Sequence, residues 1–489
     1  MADPLRVLFA VSEITPFSKT GGLGDVAAAL PRALAALGHD VRVVTPRYRS
    51  FAGSAERIAA VQVHMGRRVV TAAIGRTTLP DSAVPVYTVD DDQGWFDRDG
   101  LYQSRTGEYS DNVERFAFFS RAALQLTEAL DWSPQIIHCH DWQTALIPVY
   151  LAAGSRQPTV RTVLTIHNMG FQGSFPGDRF PATDLPSAWF SMNGVEFFGR
   201  VNLLKGGLLA ADLLTTVSPT YAQEIQTEAL SCGLHGVLAT RRRDVVGILN
   251  GIDREVWNPA TDSLLAARFS ASRLAGKTAC RDDLLRRVRL DPGPTPVVAM
   301  VSRLTEQKGV DLLIDLLPDL LLLDLRLVVL GTGDGPYEAA LRNWAAKRPD
   351  RIAAMMAFDE TLAHRIMAGA DLFLMPSRYE PCGLSQLYAM RYGAVPVAHH
   401  TGGLADTIVD LTPRSAQDGR ATGFLFRPCT AEHFLRAIQF ALAARRERAA
   451  WKRIMIAGMR ADFGWDQSAA HYVSAYRRAL SQPPRRPLA

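Results

Sequence analysis

The stretch KTGGLGD, Lys19 to Asp25, sets a lysine, an aspartate and three glycines between a strand-like run (Leu5 to Val11) and a run that reads as a helix (Val26 to Leu37). Glycine lets backbone approach a ligand closely, and the first turn of a helix carries N–H groups without partners, so this is the chemistry of an anion site. Comparable loops recur. In SRLTEQKG, Arg303 and Lys308 follow the strand-like PVVAMVS, and two cations there suit a diphosphate whose charge grows as a bond breaks. HHTGGL, His399 to Leu404, places two more glycines after another strand-like run. In PSRYEPCGLSQLYAM, Glu380 precedes a helix expected to start at Cys382-Gly383-Leu384. A carboxylate that can accept from sugar hydroxyls then lies beside N–H groups that can hold phosphate.

Histidines mark two further strand ends. IIHCHDWQT carries His138, His140 and Asp141, and strand alternation puts both histidines on one face. No third metal ligand is evident, so no metal is expected, and the stretch reads as a cleft wall with Asp141 at its tip. TIHNMGFQG brings His167 and Asn168 to another strand end. Asp90 and Asp92 in VDDDQGW have the D-x-D spacing of a metal-bridged nucleotide site, which an acidic loop matches trivially. AGKT, Ala275 to Thr278, has Ala271 where a P-loop needs its first glycine, and in LGTGDGP Pro336 breaks the dinucleotide fingerprint after Gly331, Gly333 and Gly335. A P-loop NTPase and a conventional dehydrogenase are both poorly supported.

The elements that must position these residues are strands alternating with longer amphipathic runs: RVLFAV, DVRVVTP, PQIIHCH, RTVLTIH and LLTTVS, then from Thr295 PVVAMVS, LRLVVLG, IAAMMAF, DLFLMPS and AVPVAHH. That grammar predicts βαβ units and largely parallel sheets in two doubly wound domains, with ligands at the carboxyl ends of the strands. The boundary is expected within Val245 to Pro259, where Asn250-Gly251 is a turn signal, giving domains over 1–245 and 246–460. A last helix within 461–481 could pack against either, and Pro31 should kink the first helix. At 489 residues, 47% hydrophobic and 21% charged, the chain has the composition of a folded soluble protein. Its net charge of +5 is spread thinly apart from Arg241 to Arg243 and PPRRP near the end, read as a solvated loop and a frayed tail, so no nucleic-acid patch is expected. Five widely spaced cysteines with no C-x-x-C read as reduced thiols. The opening MADPLRVLFAVSEITPF has neither a span-length apolar run nor a leader pattern, which suggests the cytoplasm and no membrane partner.

Together KTGGLGDV, HCHDWQT, TIHN, NGID (Asn250 to Asp253), SRLTEQKG, PSRYEPCGL and HHTGGL, with LYQSRTGEYSDNVERFAFFSRAAL between the first two, resemble the bacterial glycogen synthase and plant starch synthase family. They stand in family order from about residue 5 to residue 480. The resemblance implies the GT-B fold, two Rossmann-like domains facing a central cleft, and retaining transfer of glucose from ADP-glucose to the 4-hydroxyl at the non-reducing end of an α-1,4-glucan, without a cofactor. It implies that Lys19 and the Gly21-Gly22 backbone meet the distal phosphate, while Arg303 and Lys308 neutralise the diphosphate. Glu380 would bind the glucose hydroxyls, helped by the Cys382 and Gly383 backbone, with Thr401 near the phosphates. Asp141 and His167 would border the anomeric carbon and the sugar's far edge. Asn250, Leu384 and Gly402 are carried over as substrate-binding positions. Phe358 stands where the family is expected to place a tyrosine near the base, keeping stacking and losing a hydroxyl hydrogen bond. Two other readings stay open: a related transferase using UDP-glucose or a small acceptor, and a non-catalytic glucan-binding protein, which would have no need of a diphosphate clamp. The absence of the long N-terminal extension of many plant forms suggests a bacterial-type enzyme.

Overall fold

A computed structural model describes residues 3–104, 107–154 and 159–485. Arg105 and Thr106 of the LYQSRTGEYS stretch and Arg486 of the tail cluster lie outside the described residues. The chain forms two compact units, Met1–Gly251 with Trp465–Ala489, and Ile252–Gly464. The first crossing thus follows the Asn250-Gly251 turn, beyond the division after residue 245 that the sequence suggests.

The first unit is built on strands β1 (Arg6–Ala10), β2 (Asp40–Pro46), β3 (Glu56–Met65), β4 (Arg68–Thr78), β5 (Pro85–Asp91), β6 (Ile136–His140), β7 (Arg161–Ile166), β8 (Leu213–Thr216) and β9 (Val245–Gly247). Their order across the sheet is β9-β8-β7-β6-β1-β2-β5-β4-β3. Pairing is parallel from β9 to β5, while β4 runs antiparallel to both β5 and β3. The antiparallel edge departs from the parallel expectation. Its outer strand is exposed at its start and from Ala59 onward alternates covered with exposed residues, Val63 being the buried one, the pattern of a strand with one wet face. The chain leaves β1 toward β2 and later returns to pair β6 on the other side of β1, so the loops after β1 and β6 part at a topological switch point.

Helix α1 (Gly22–Ala36) starts inside the glycine run, ahead of the predicted Val26, and continues through Pro31. Its apolar stripe of Val26, Leu30 and Leu34 packs on Val7 and Phe9 of β1. The final helix α2 (Trp465–Ser481) joins the same core through Trp465, Ala469, Tyr472, Tyr476 and Ala479, whose three- and four-residue spacing keeps them on one face.

The second unit carries β10 (Val297–Val301), β11 (Arg326–Leu330), β12 (Ile352–Met355), β13 (Leu372–Met375), β14 (Val395–His399) and β15 (Phe424–Phe426), all parallel, in the order β12-β11-β10-β13-β14-β15. Val298 and Met300 enter the apolar layer on one face, Val297 and Ala299 that on the other. Burial on both faces is why these strands read as unbroken hydrophobic runs. Here the switch point lies between β10 and β13.

The excluded motifs have structural work. Lys277 of AGKT is buried in a helix, donating to the carbonyls of Ala368 (2.9 Å) and Tyr392 (2.8 Å). A Cβ on Gly331 would lie 1.9 Å from the Ser302 carbonyl oxygen, so LGTGDGP is the close approach of two loops. The solvated-loop reading fails for Arg241. It is fully buried and donates to the carbonyls of Leu208 and Ala211 (2.7 Å) and to Asp244 (2.8 Å), because a helix end and a turn leave acceptors there that water cannot reach. Nor is the tail free at Arg485, whose backbone N–H donates to Asp212 and whose guanidinium donates to the Leu209 carbonyl.

Candidate active site

In the first unit the switch-point loops hold a buried polar cluster. Register pairs Phe9 with His138 and His140 with Thr165, so β1, β6 and β7 end nearly level. Asp141 follows β6 directly and holds a left-handed φ of 55°, a conformation that few non-glycine residues adopt. One of its carboxylate oxygens accepts the His167 backbone N–H at 2.7 Å, which brings Asp141 and His167 together. Burial pushes the Asp141 carboxyl up to about 7, against the opposing pull of the His167 and Asn168 N–H groups and with added repulsion from Glu13. Burial likewise pushes His167 down to about 3, so the ring is neutral at neutral pH. His167 Nε2 and His140 Nδ1 are 2.9 Å apart, and His138 bonds Thr165 (2.6 Å) and the hydroxyl of Tyr476 on α2 (2.8 Å). Sequence alternation placed the two histidines correctly on one face, but their partners are hydroxyls and another ring. Among the described residues no group of three or more His, Cys, Asp or Glu side chains is arranged for a metal.

The glycine loop after β1 has a different internal arrangement from the simplest reading of its sequence. Glu13 reaches across it, accepting from the backbone N–H groups of Thr20 and Gly21 and from the Thr20 hydroxyl. Part of the expected anion cradle is therefore filled by a carboxylate of the chain. Burial raises the Glu13 pKa, and those hydrogen bonds oppose the rise. Lys19 pairs with Asp25 at 2.6 Å, and Gly22 is the first residue of α1. Glu13 was hidden in sequence because nothing local marks a carboxylate that folds back on a loop. Tyr102 is held by Ser12 at 2.7 Å. Asn250 is buried, and its Oδ1 has no hydrogen-bond partner among the described residues. The D-x-D aspartates have local partners: Asp90 pairs with Arg47, and Asp92 accepts from Thr71 and Gln93.

In the second unit the loops after β10 and β13 meet. Lys308 Nζ lies 2.5 Å from Glu380 Oε2, and the Ser377 hydroxyl adds a 2.9 Å bond to the same oxygen. Glu380 is buried, while Arg303 is exposed with its guanidinium donating to Gln307 at 3.1 Å. Gly309 makes this approach possible: it has φ +68°, and a Cβ there would sit 2.1 Å from the Pro376 carbonyl oxygen. The HHTGGL loop completes the arrangement. The Gly403 N–H donates to the Glu380 carbonyl at 3.0 Å, and a Cβ on Gly403 would lie 2.0 Å from the Cys382 carbonyl oxygen.

The expected helix at Cys382 begins instead at Ser385, because Gly383 turns with φ +71° and leaves Cys382 to Leu384 as a tight corner. Gln386 fastens that corner to the Cys382 and Gly383 carbonyls at 2.9 Å each. Thr401 precedes the short helix Gly402–Thr407. Phe358 is 84% exposed on the loop after β12. Ser377 and Gln307 were missed by sequence reasoning, since a serine and a glutamine carry no pattern of their own.

Comparison with known proteins identifies the family. Residues 6–240 match the starch synthase catalytic domain and residues 282–455 the glycosyl transferases group 1 domain. The chain is 47% identical over 484 residues to glycogen synthase 2 of Geobacter sulfurreducens, covering 97% of this chain and 99% of that one. It is 50% identical over 486 residues to a glycogen synthase of an Anaeromyxobacter species, covering 98% and 100%. Among solved structures it resembles the catalytic domain of starch synthase IV from Arabidopsis thaliana bound to ADP and acarbose, with TM-score 0.89 and 33% identity over 98% of this chain and 100% of that one. A sucrose-phosphate synthase from Thermosynechococcus elongatus, at TM-score 0.60 and 17% identity, shares the fold.

Proposed function

Because the chain belongs to the glycogen synthase family of GT-B glycosyltransferases, we propose that it transfers glucose from ADP-glucose, with retention, to the non-reducing 4-hydroxyl of an α-1,4-glucan. The observation that carries this reading is the meeting of Lys308 and Glu380 at the switch point of the second unit, with Arg303 exposed on the same loop. Arg303 and Lys308 neutralise the departing diphosphate, and Glu380 orders the glucose hydroxyls. Thr401 and the Cys382 to Leu384 corner, with Gly402, line the donor, and Phe358 lies against the base. Asp141 and His167 border the anomeric carbon, with His167 neutral and able to hydrogen-bond a sugar hydroxyl. Lys19 and the Gly22 backbone bear on the distal phosphate, the Gly21 N–H being turned to Glu13, and Asn250 directs to substrate its Oδ1, which has no partner among the described residues.

Catalysis on this reading is electrostatic, and each cation lost costs about 10²–10³ in turnover. The reaction needs no cofactor or metal and belongs in the cytoplasm. Among the described residues, no helix is long and apolar enough to cross a membrane.

The test is release of ADP and UDP from ADP-glucose and UDP-glucose, with and without glycogen, in EDTA. Glycogen-dependent ADP release that survives EDTA is expected, as is a loss of about 10²–10³ in turnover for Arg303→Ala or Lys308→Ala. Full turnover in either variant overturns the diphosphate assignment. Release from UDP-glucose alone changes the donor, and binding of glycogen without release from either donor leaves a glucan-binding protein.

A further inference from the structure

In the first unit, strands Glu196–Phe197 and Arg200–Asn202 pair antiparallel around a two-residue turn, Phe198-Gly199. Both turn residues have positive φ, 50° and 74°, the geometry of a type I′ turn. Such turns favour Asn-Gly or Gly-Gly at those positions, and a bulky aromatic in the left-handed region is strained. Phe198 is also 86% exposed, so burial in the fold does not account for its being there.

The backbone beneath it is rigid. The Gly199 N–H donates to Glu196 at 2.7 Å, Arg200 holds Ser174 through its hydroxyl (2.9 Å) and carbonyl (3.0 Å), and a Cβ on Gly177 would lie 2.3 Å from the Gly199 carbonyl oxygen. The Phe197 ring stands edge-on to Phe198 at 4.7 Å. A strained, wet aromatic on a braced hairpin is the pattern of a residue retained for contact with something outside the chain.

The hairpin is joined to the loop that carries His167. Asn202 donates to the Gln172 side chain at 2.6 Å, and Ser174 pairs with Asn202. Three residues, the turn glycine and two of strand, separate Asn202 from Phe198, a reach of at most about 13 Å. Phe171 on that same loop is 50% exposed. An exposed apolar ring suits the C–H face of a sugar, and an extended polymer of sugars suits an aromatic set back from the reacting end.

We propose that Phe198, braced by Phe197, is an aromatic platform that stacks on glucose rings of an α-1,4-glucan behind its reacting end. This rests on the glucan-acceptor reading above. The variants are Phe198→Asn, which supplies the favoured turn residue, and Phe198→Trp, which restores a ring.

Phe198→Asn should bind glycogen about tenfold more weakly in affinity electrophoresis, the ratio an aromatic anchor of ordinary strength gives. It should raise KM for long maltodextrins, leave KM for maltose unchanged, and keep or raise Tm. Phe198→Trp should recover glycogen binding. Unchanged glycogen binding and unchanged KM for long maltodextrins in Phe198→Asn overturn the platform. So does a change confined to self-association in sedimentation, which would assign the ring to a second copy of the chain. Weaker glycogen binding in a protein that releases no nucleoside diphosphate keeps the platform and removes the transferase reading. Turnover without a binding difference does the reverse.

Discussion

Asp141→Asn isolates one charge without moving the hydrogen bond it serves, since an asparagine Oδ1 can still accept the His167 N–H that Asp141 accepts at 2.7 Å. The Asp141 carboxyl has an ordinary value of 3.8 and is held at about 7 by burial. Between those values the folded chain binds one more proton than the unfolded chain, so stability falls as pH rises through the window. The penalty is absent below 3.8 and complete above 7. It is worth about 1.4 kcal/mol per pH unit, roughly 4 kcal/mol in total, of which about 3 kcal/mol falls between pH 5 and pH 7. Asparagine carries no such penalty. Relative to wild type, Asp141→Asn should therefore gain roughly 3 kcal/mol of stability between pH 5 and pH 8. The assay is hydrogen exchange of the full chain across that range, following peptides from β6 and β7, because a chain with two compact units need not unfold in one step. A wild-type-minus-variant difference that stays flat with pH would refute the argument, because it would mean the carboxylate is already ionised and solvated at pH 5. Catalysis should move the other way, with turnover falling in the variant that is more stable at neutral pH.

Two further perturbations test the packing around the candidate site. Lys308→Met or Glu380→Gln alone should each destabilise the second unit by about 3 kcal/mol, because each leaves a mostly buried charge unpaired. The double variant should cost roughly 2 kcal/mol less than the sum, measured by denaturant unfolding; strict additivity would show that the pair is not coupled. Arg241→Met should cost about 3 kcal/mol by removing donors from buried carbonyls, whereas Arg242→Ala, on the exposed side of the same run, should stay within about 0.5 kcal/mol. Thermal unfolding of the two variants side by side distinguishes a buried staple from a solvated cluster.

Much of the site was legible from local chemistry. Strand alternation put His138 and His140 on one face and Asp141 at a strand end, and two parallel βαβ series placed the cation and carboxylate loops at carboxyl ends, because period and loop residues are properties of neighbours in the chain. What those residues touch was not legible. That Glu380 meets Lys308 depends on β10 and β13 being adjacent across a switch point and on Gly309 letting the loops touch, both products of strand order. Glu13 filling part of the glycine cradle, Arg241 buried inside a basic run, and α2 returning to place Tyr476 on His138 all join residues separated along the chain. Sequence by itself determined which groups were available and on which kind of element; tertiary structure alone decided their partners and charge states, since desolvation and pairing act through space.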